Sequence, residues 1–131
     1  MRKFYLICCV ILFFSFTPFS QSLIFCEDVD ANGVAINYSN EFWISDGGGY
    51  ITFLVYLANA NDCSGMEFQI SRKEEFGNSK TYEFSALTER PLGKMWFYRK
   101  VFFSSKGRFW VEVVDCNGNS IADAVLYINE R

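Results

Sequence analysis

From Tyr50 to Leu57 every second side chain is large and apolar: Ile51, Phe53, Val55 and Leu57. Successive side chains of an extended chain point to opposite sides, so this spacing sets all four on one face of a strand. The pattern returns down the sequence. Met66, Phe68 and Ile70 alternate with polar neighbours, and Tyr82 and Phe84 read as inward residues of a strand from Lys80 to Ser85. Phe109, Val111 and Val113 alternate with Trp110, Glu112 and Val114, and Ala122, Ala124, Leu126 and Ile128 form a last row. Met95 to Phe103 is a longer aromatic and aliphatic run, while 34–39 and 41–45 are weaker candidates. No stretch sustains a helical period. Such a chain has to bury itself by pairing strands.

Turn chemistry separates the runs. Gly47-Gly48-Gly49, the polar stretch 59–65, Gly77-Asn78-Ser79 and Ser104-Ser105-Lys106-Gly107 all break them. Asn32-Gly33 and Asn117-Gly118 are hairpin signals, because Asn and Gly tolerate the positive φ of tight turns. Asp30-Ala31-Asn32-Gly33 and Asp115-Cys116-Asn117-Gly118 are near copies, which reads as one turn used twice: the Asp braces the backbone and Asn-Gly takes the left-handed positions. The spacing fits about seven to nine short strands in one two-sheet sandwich.

The N-terminus does not belong to that pattern. Met1-Arg2-Lys3 is basic, Phe4 to Phe14 is almost unbroken apolar sequence, and a polar, turn-prone segment follows through Ser20 and Ser22. This is the layout of a secretory signal peptide over residues 1–22, with residues 23–131 as the single mature domain. The apolar run is too short to span a ~30 Å hydrocarbon core, so no membrane insertion is expected after cleavage. The expected location is secreted, periplasmic or at the cell surface. Three cysteines remain in the domain, Cys26, Cys63 and Cys116. In an oxidising compartment two of them can pair, and three separate buried thiols fit as well; spacing does not choose.

The segment Phe103 to Gly118 contains a strand, a Gly, then Phe109-Trp110-Val111-Glu112-Val113 and the Asp115–Gly118 turn. It resembles the ending of many bacterial immunoglobulin-like domains. With the Asp30–Gly33 turn and the later Gly-Gly before a strand, the chain is similar to short exported immunoglobulin-like β-sandwich proteins of Bacteroidota-type bacteria. The resemblance implies an all-β, immunoglobulin-like antiparallel sandwich and an exported location. Domains of this kind serve adhesion, assembly and ligand binding, so it implies no single function.

Composition narrows the chemistry. The chain of 131 residues has a net charge of −3 and no histidine. Losing Arg2 and Lys3 makes the domain more acidic still, which argues against nucleic acid and anionic lipid as partners. Without histidine the commonest general base and the triads that depend on it are missing, and the expectation is that the chain is not an enzyme. Neighbouring carboxylates such as Glu74-Glu75 do not span a cleft as a glycosidase pair must. Asp28-Val29-Asp30-Ala31-Asn32-Gly33 matches the first half of a calcium loop, making Asp28, Asp30 and Asn32 candidate Ca²⁺ ligands. The bidentate acid of the second half would fall at Ser39, however, and a hairpin turn without metal is favoured; no other cofactor is expected.

Trp43, Trp96 and Trp110 are flat rings with a polar edge, suited to sugars or protein partners, although sandwich cores also bury Trp. If Phe109, Val111 and Val113 face inward, Trp110 faces out. Trp110 and Trp43 are therefore the candidate binding residues. The function expected is a non-enzymatic binding or adhesion module of the cell envelope with a protein or glycan partner. A small secreted hydrolase inhibitor presenting 59–62 or 88–92, or a structural subunit pairing through an open sheet edge, are the alternatives.

Overall fold

A computed structural model describes residues 22–57, 63–73, 79–89 and 95–131. The signal-peptide segment, apart from Ser22, lies outside the described residues. Ten strands follow one another: β1 (Ser22–Cys26), β2 (Asp28–Val29), β3 (Ala35–Ile36), β4 (Glu41–Ile44), β5 (Gly49–Tyr56), β6 (Gly65–Lys73), β7 (Lys80–Glu89), β8 (Trp96–Phe103), β9 (Gly107–Val114) and β10 (Ser120–Glu130). Eight of them make two sheets, ordered β1-β5-β8 and β4-β10-β9-β6-β7, and β2 with β3 makes a short ribbon. This is the immunoglobulin-like sandwich. Its pairings are antiparallel except for one: β4 runs parallel to β10, with Trp43 opposite Asn129.

The expected apolar rows meet between the sheets. Phe53, Phe68, Ile70, Val111, Val113 and Leu126 are each fully or almost fully buried. Phe53 packs edge-on against both Phe25 and Phe68, at 5.0 and 5.2 Å between ring centres. Phe103 meets Phe53, Phe84 and Phe109. Edge-to-face aromatic contacts add to the burial of each ring and join the two layers at their centre.

Tyr82 does not follow the row it was expected to share with Phe84. Ile70 pairs with Phe84, but the next residue, Ser71, pairs with Tyr82, so Glu83 is an extra residue in β7. A bulge of one residue reverses the side-chain phase beyond it. Phe84 stays against the core, and Tyr82 turns outward and is exposed. Arg72 braces this bend: it bonds the Glu83 carboxylate at 2.7 Å, the Lys106 carbonyl and the Ser105 hydroxyl, with its guanidinium over the Phe109 ring.

The near-duplicate turns are physically the same. In each, the Asp carboxylate accepts two backbone N–H bonds: Asp30 from Asn32 and Val34, Asp115 from Asn117 and Asn119. In each, the Asp carbonyl accepts the Gly N–H, and Gly33 and Gly118 take φ of 82° and 85°. One turn closes the β2–β3 ribbon and the other joins β9 to β10. The cysteine pairing is also resolved. Cys63 and Cys116 form a disulfide that links the start of β6 to the end of β9, and Cys26 is a buried free thiol.

Candidate functional site

Alternation around the core leaves a second set of side chains on the outer face of the five-stranded sheet. Register places them. Trp110 on β9 lies beside Val125 on β10 and Ser71 on β6, and Ser71 lies beside Tyr82 on β7. Two residues along β10, Tyr127 pairs with Glu41, and two further along, Asn129 pairs with Trp43. Tyr82, Trp110, Tyr127 and Trp43 therefore form a diagonal aromatic stripe across the sheet. Two strand spacings across and four residues along put the two tryptophans roughly 16 Å apart. Trp43 is 52% exposed, Tyr82 60% and Tyr127 40%. Both tryptophans proposed from sequence thus occupy one face. Tyr82 and Tyr127 were missed, because one was assigned inward and the other stands in a row read only for its apolar members.

Trp110 is the half-buried centre of the stripe. The Lys80 ammonium reaches across from β7 to within 3.1 Å of its ring centre, and Lys73 on the adjacent β6 approaches to 5.8 Å. The negative face of the indole attracts the cations, and the lysine stems shelter the ring. Its Nε1–H is buried with no hydrogen-bond partner among the described residues. Arg108 pairs with Tyr127 on β10. Lys80 and Lys73 are direct cross-strand neighbours. On the other side of Trp110, Glu112 and Asp123 are direct cross-strand neighbours. Like charges directly opposite in a sheet repel, so these two pairs favour contact with a charged partner.

The calcium candidates lie elsewhere. Asp28, Asp30 and Asn32 sit on the ribbon that lies over the other sheet, and nothing brings them to Trp43 or Trp110. The Asp28 carboxylate accepts the Val29 N–H and the Asp30 carboxylate braces its turn. Among the described residues no group of three acidic, Cys or His side chains gathers. Beneath the ribbon, burial pushes the Cys26 thiol up from its ordinary value; a backbone bond from Ile36 works against that, and Asp28 adds to it. Burial raises the Tyr56 phenol too, and its hydroxyl donates to the Gly33 carbonyl at 2.5 Å.

A cleft of about 710 Å³ opens at the sandwich edge, lined by Met66, Glu67, Leu87, Glu89, Arg99 and Asp115 among others. Arg99 lies between Phe97 and Val101 on β8, an edge strand, where its exposed side chain reaches out so that its guanidinium donates to the Leu87 carbonyl on β7. Sequence reading passed over Arg99 because it stands inside an apolar run. Of the loops proposed for a hydrolase inhibitor, 59–62 and 90–92 lie outside the described residues, and Thr88 and Glu89 belong to β7. Among the described residues no helix is long and apolar enough to cross a membrane.

No family model matches the chain, and no curated protein matches it. Among solved structures it is similar to two of a superoxide reductase (neelaredoxin) from Ignicoccus hospitalis. One, of a form whose title carries a substitution, matches at 9% identity and a TM-score of 0.41, over 71% of this chain and 76% of that one. The other, titled without a substitution, matches at 8% identity and a TM-score of 0.40, over 88% of this chain and 98% of that one. These structures are enzymes by title, and the expectation that this chain is not an enzyme is withdrawn on that finding. That expectation rested on a missing residue type, and lack of histidine excludes particular mechanisms rather than catalysis as a whole. At this distance the likeness transfers no residue role, substrate or reaction to this chain.

Proposed function

We propose that this chain is an exported binding module that docks a partner protein on the open face of its five-stranded sheet. One observation carries the reading: Tyr82, Trp110, Tyr127 and Trp43 cross that face in a single stripe, with three of the four substantially exposed. Aromatic anchors flanked by Arg and Lys have the composition of a protein–protein contact. The cross-strand pair Lys80 and Lys73 favours a partner with an acidic patch beside its apolar contact. A sugar-stacking platform needs a bare ring, and the Trp110 face is taken by Lys80. Export is supported by the basic-apolar-polar N-terminus and by the Cys63–Cys116 disulfide, which persists in oxidising compartments.

The test is capture from the native host with the exported chain and with its W43A/Y127A variant. Both substituted side chains are exposed, so the variant should fold. The expected outcome is one acidic protein held by the wild type and lost by the variant, with retention falling as salt rises. Equal capture by both forms, or retention by polysaccharide rather than protein, would overturn the reading. Amino-terminal sequencing of the chain recovered outside the cytoplasm tests the export half on its own.

A further inference from the structure

We propose that the free edge of β7 pairs, antiparallel, with the same edge of a second copy of this chain. The contact is made by the backbone edge of β7; it shares Tyr82 and Lys80 with the docking face but not Trp43 or Tyr127. Among the described residues β7 is the last strand of its sheet and its one strand ladder is with β6. Its ten residues are mostly exposed, with Leu87 at 69%. A long, open edge with unspent N–H and C=O groups is a template for another strand.

Its own sequence says which strand fits. Consider two β7 strands, antiparallel, centred on Ser85. Each Lys80 then lies opposite the partner copy's Glu89, and each exposed Tyr82 opposite the other copy's exposed Leu87. The extra residue at Glu83 makes this register self-consistent. Without a bulge, Tyr82 and Leu87 would fall on opposite faces of the sheet; with it, Lys80, Tyr82, Ser85, Leu87 and Glu89 all point the same way. The backbone agrees. Arg99 donates to the Leu87 carbonyl from the neighbouring sheet, so that carbonyl faces the free edge. Alternation then turns Ser85 and Glu89 to the edge, and the bulge brings Tyr82 and Lys80 back to it. Every edge-facing residue meets an edge-facing residue of the other copy. A two-fold contact needs a surface that complements itself, and this strand does so in charge, in apolar area and in hydrogen bonding.

Arg99 occupies one acceptor of that edge in the single chain and has to release it when copies pair. Its guanidinium is a competitor for the second strand.

Sedimentation velocity of the purified chain over roughly 5–200 µM, the range in which a small contact associates, tests the proposal. A monomer–dimer equilibrium is expected. Glu89→Lys sets Lys80 against a lysine at both ends of the pair and should weaken association about tenfold. Lys80→Glu should do the same. The double exchange K80E/E89K restores opposite charges and should return the affinity to within about threefold of wild type. A mixture of the two single variants should associate with each other better than either does with itself. Arg99→Ala should tighten the dimer a few-fold. A wild type that stays monomeric throughout, or a K80E/E89K variant as weak as E89K alone, would overturn it. E89K leaves Trp43 and Tyr127 untouched, so partner capture retained alongside lost dimerisation separates this inference from the docking face.

Discussion

The two sheets of this sandwich treat their outer faces in opposite ways. On the three-stranded sheet the outer face is roofed over β1 and the middle of β5 by the β2–β3 ribbon: Cys26, Thr52 and Leu54 are as buried as the central core, while Tyr50, Tyr98 and Phe102 beyond the ribbon stay exposed. Gly33 lies so close to the Trp96 indole that a Cβ there would stand 2.5 Å from the ring. The five-stranded sheet has no such roof among the described residues, and its outward aromatics are shielded by lysine stems or left in solvent. Under the ribbon the first face has become a second, thin core; the second face has kept an interaction surface along its whole width. A disulfide clips the open sheet at one end, while the roofed sheet relies on packing. The same alternating pattern thus yields structure on one side and availability on the other, and the difference is made by nine residues of ribbon, Asp28 to Ile36.

The contrast can be broken experimentally. The largest effect should come from C63A/C116A: releasing a link across a sequence separation of 53 residues should cost about 4 kcal/mol in urea unfolding if chain entropy dominates. Next, Leu54→Ala should cost about 3 kcal/mol, as in a true core. A loss below about 1 kcal/mol would mean that the ribbon only rests on the sheet. Gly33→Ala, at a positive φ and against Trp96, should cost about 2 kcal/mol and alter the near-ultraviolet dichroism of that indole. A smaller effect is the pH response of the roofed face. Cys26 and Tyr56 hold their protons more tightly folded than unfolded. The stability they contribute is complete below the ordinary thiol value of 9.0 and drains away as pH climbs through their raised values. Cys26→Ala should flatten the decline of the unfolding midpoint as pH rises above the ordinary thiol value of 9.0. Smallest of all, Lys80→Ala should change stability by less than about 1 kcal/mol while shifting the Trp110 fluorescence, which sets the open face apart from the roofed one.

What the sequence made legible follows the reach of its local rules. The inward rows of β5, β6, β9 and β10 could be read because a two-residue period survives wherever strands are regular. The twin turns could be read because Asp, Asn and Gly act within five residues. Tyr82 was misplaced because the bulge at Glu83 is set by pairing with β6, which no local pattern reports. The roof over Leu54 was hidden for a like reason, although the near-continuous apolar run from Ile51 to Leu57 is the mark of a strand covered on both sides. The site was half visible. Alternation found Trp110 and Trp43, but only cross-strand register could place Tyr127 and the cations beside them. Arg99, an edge-facing charge inside an apolar stretch, was silent until the opposite strand was in place.

The parallel pairing of β4 with β10 joins segments made far apart in time. Among the described residues β4 has no other strand ladder, and 88 residues separate Glu41 from the Asn129 that it bonds. Nothing local can complete that edge: a growing chain carries Trp43 and Ile44 unpaired until residues 127–130 arrive. A premature stop between Val114 and Ser120 therefore deletes one strand, β10, and orphans a second, β4. It strips both from the side of the sheet that carries Trp43, and even a product reaching the end of β9 would fail as a sandwich.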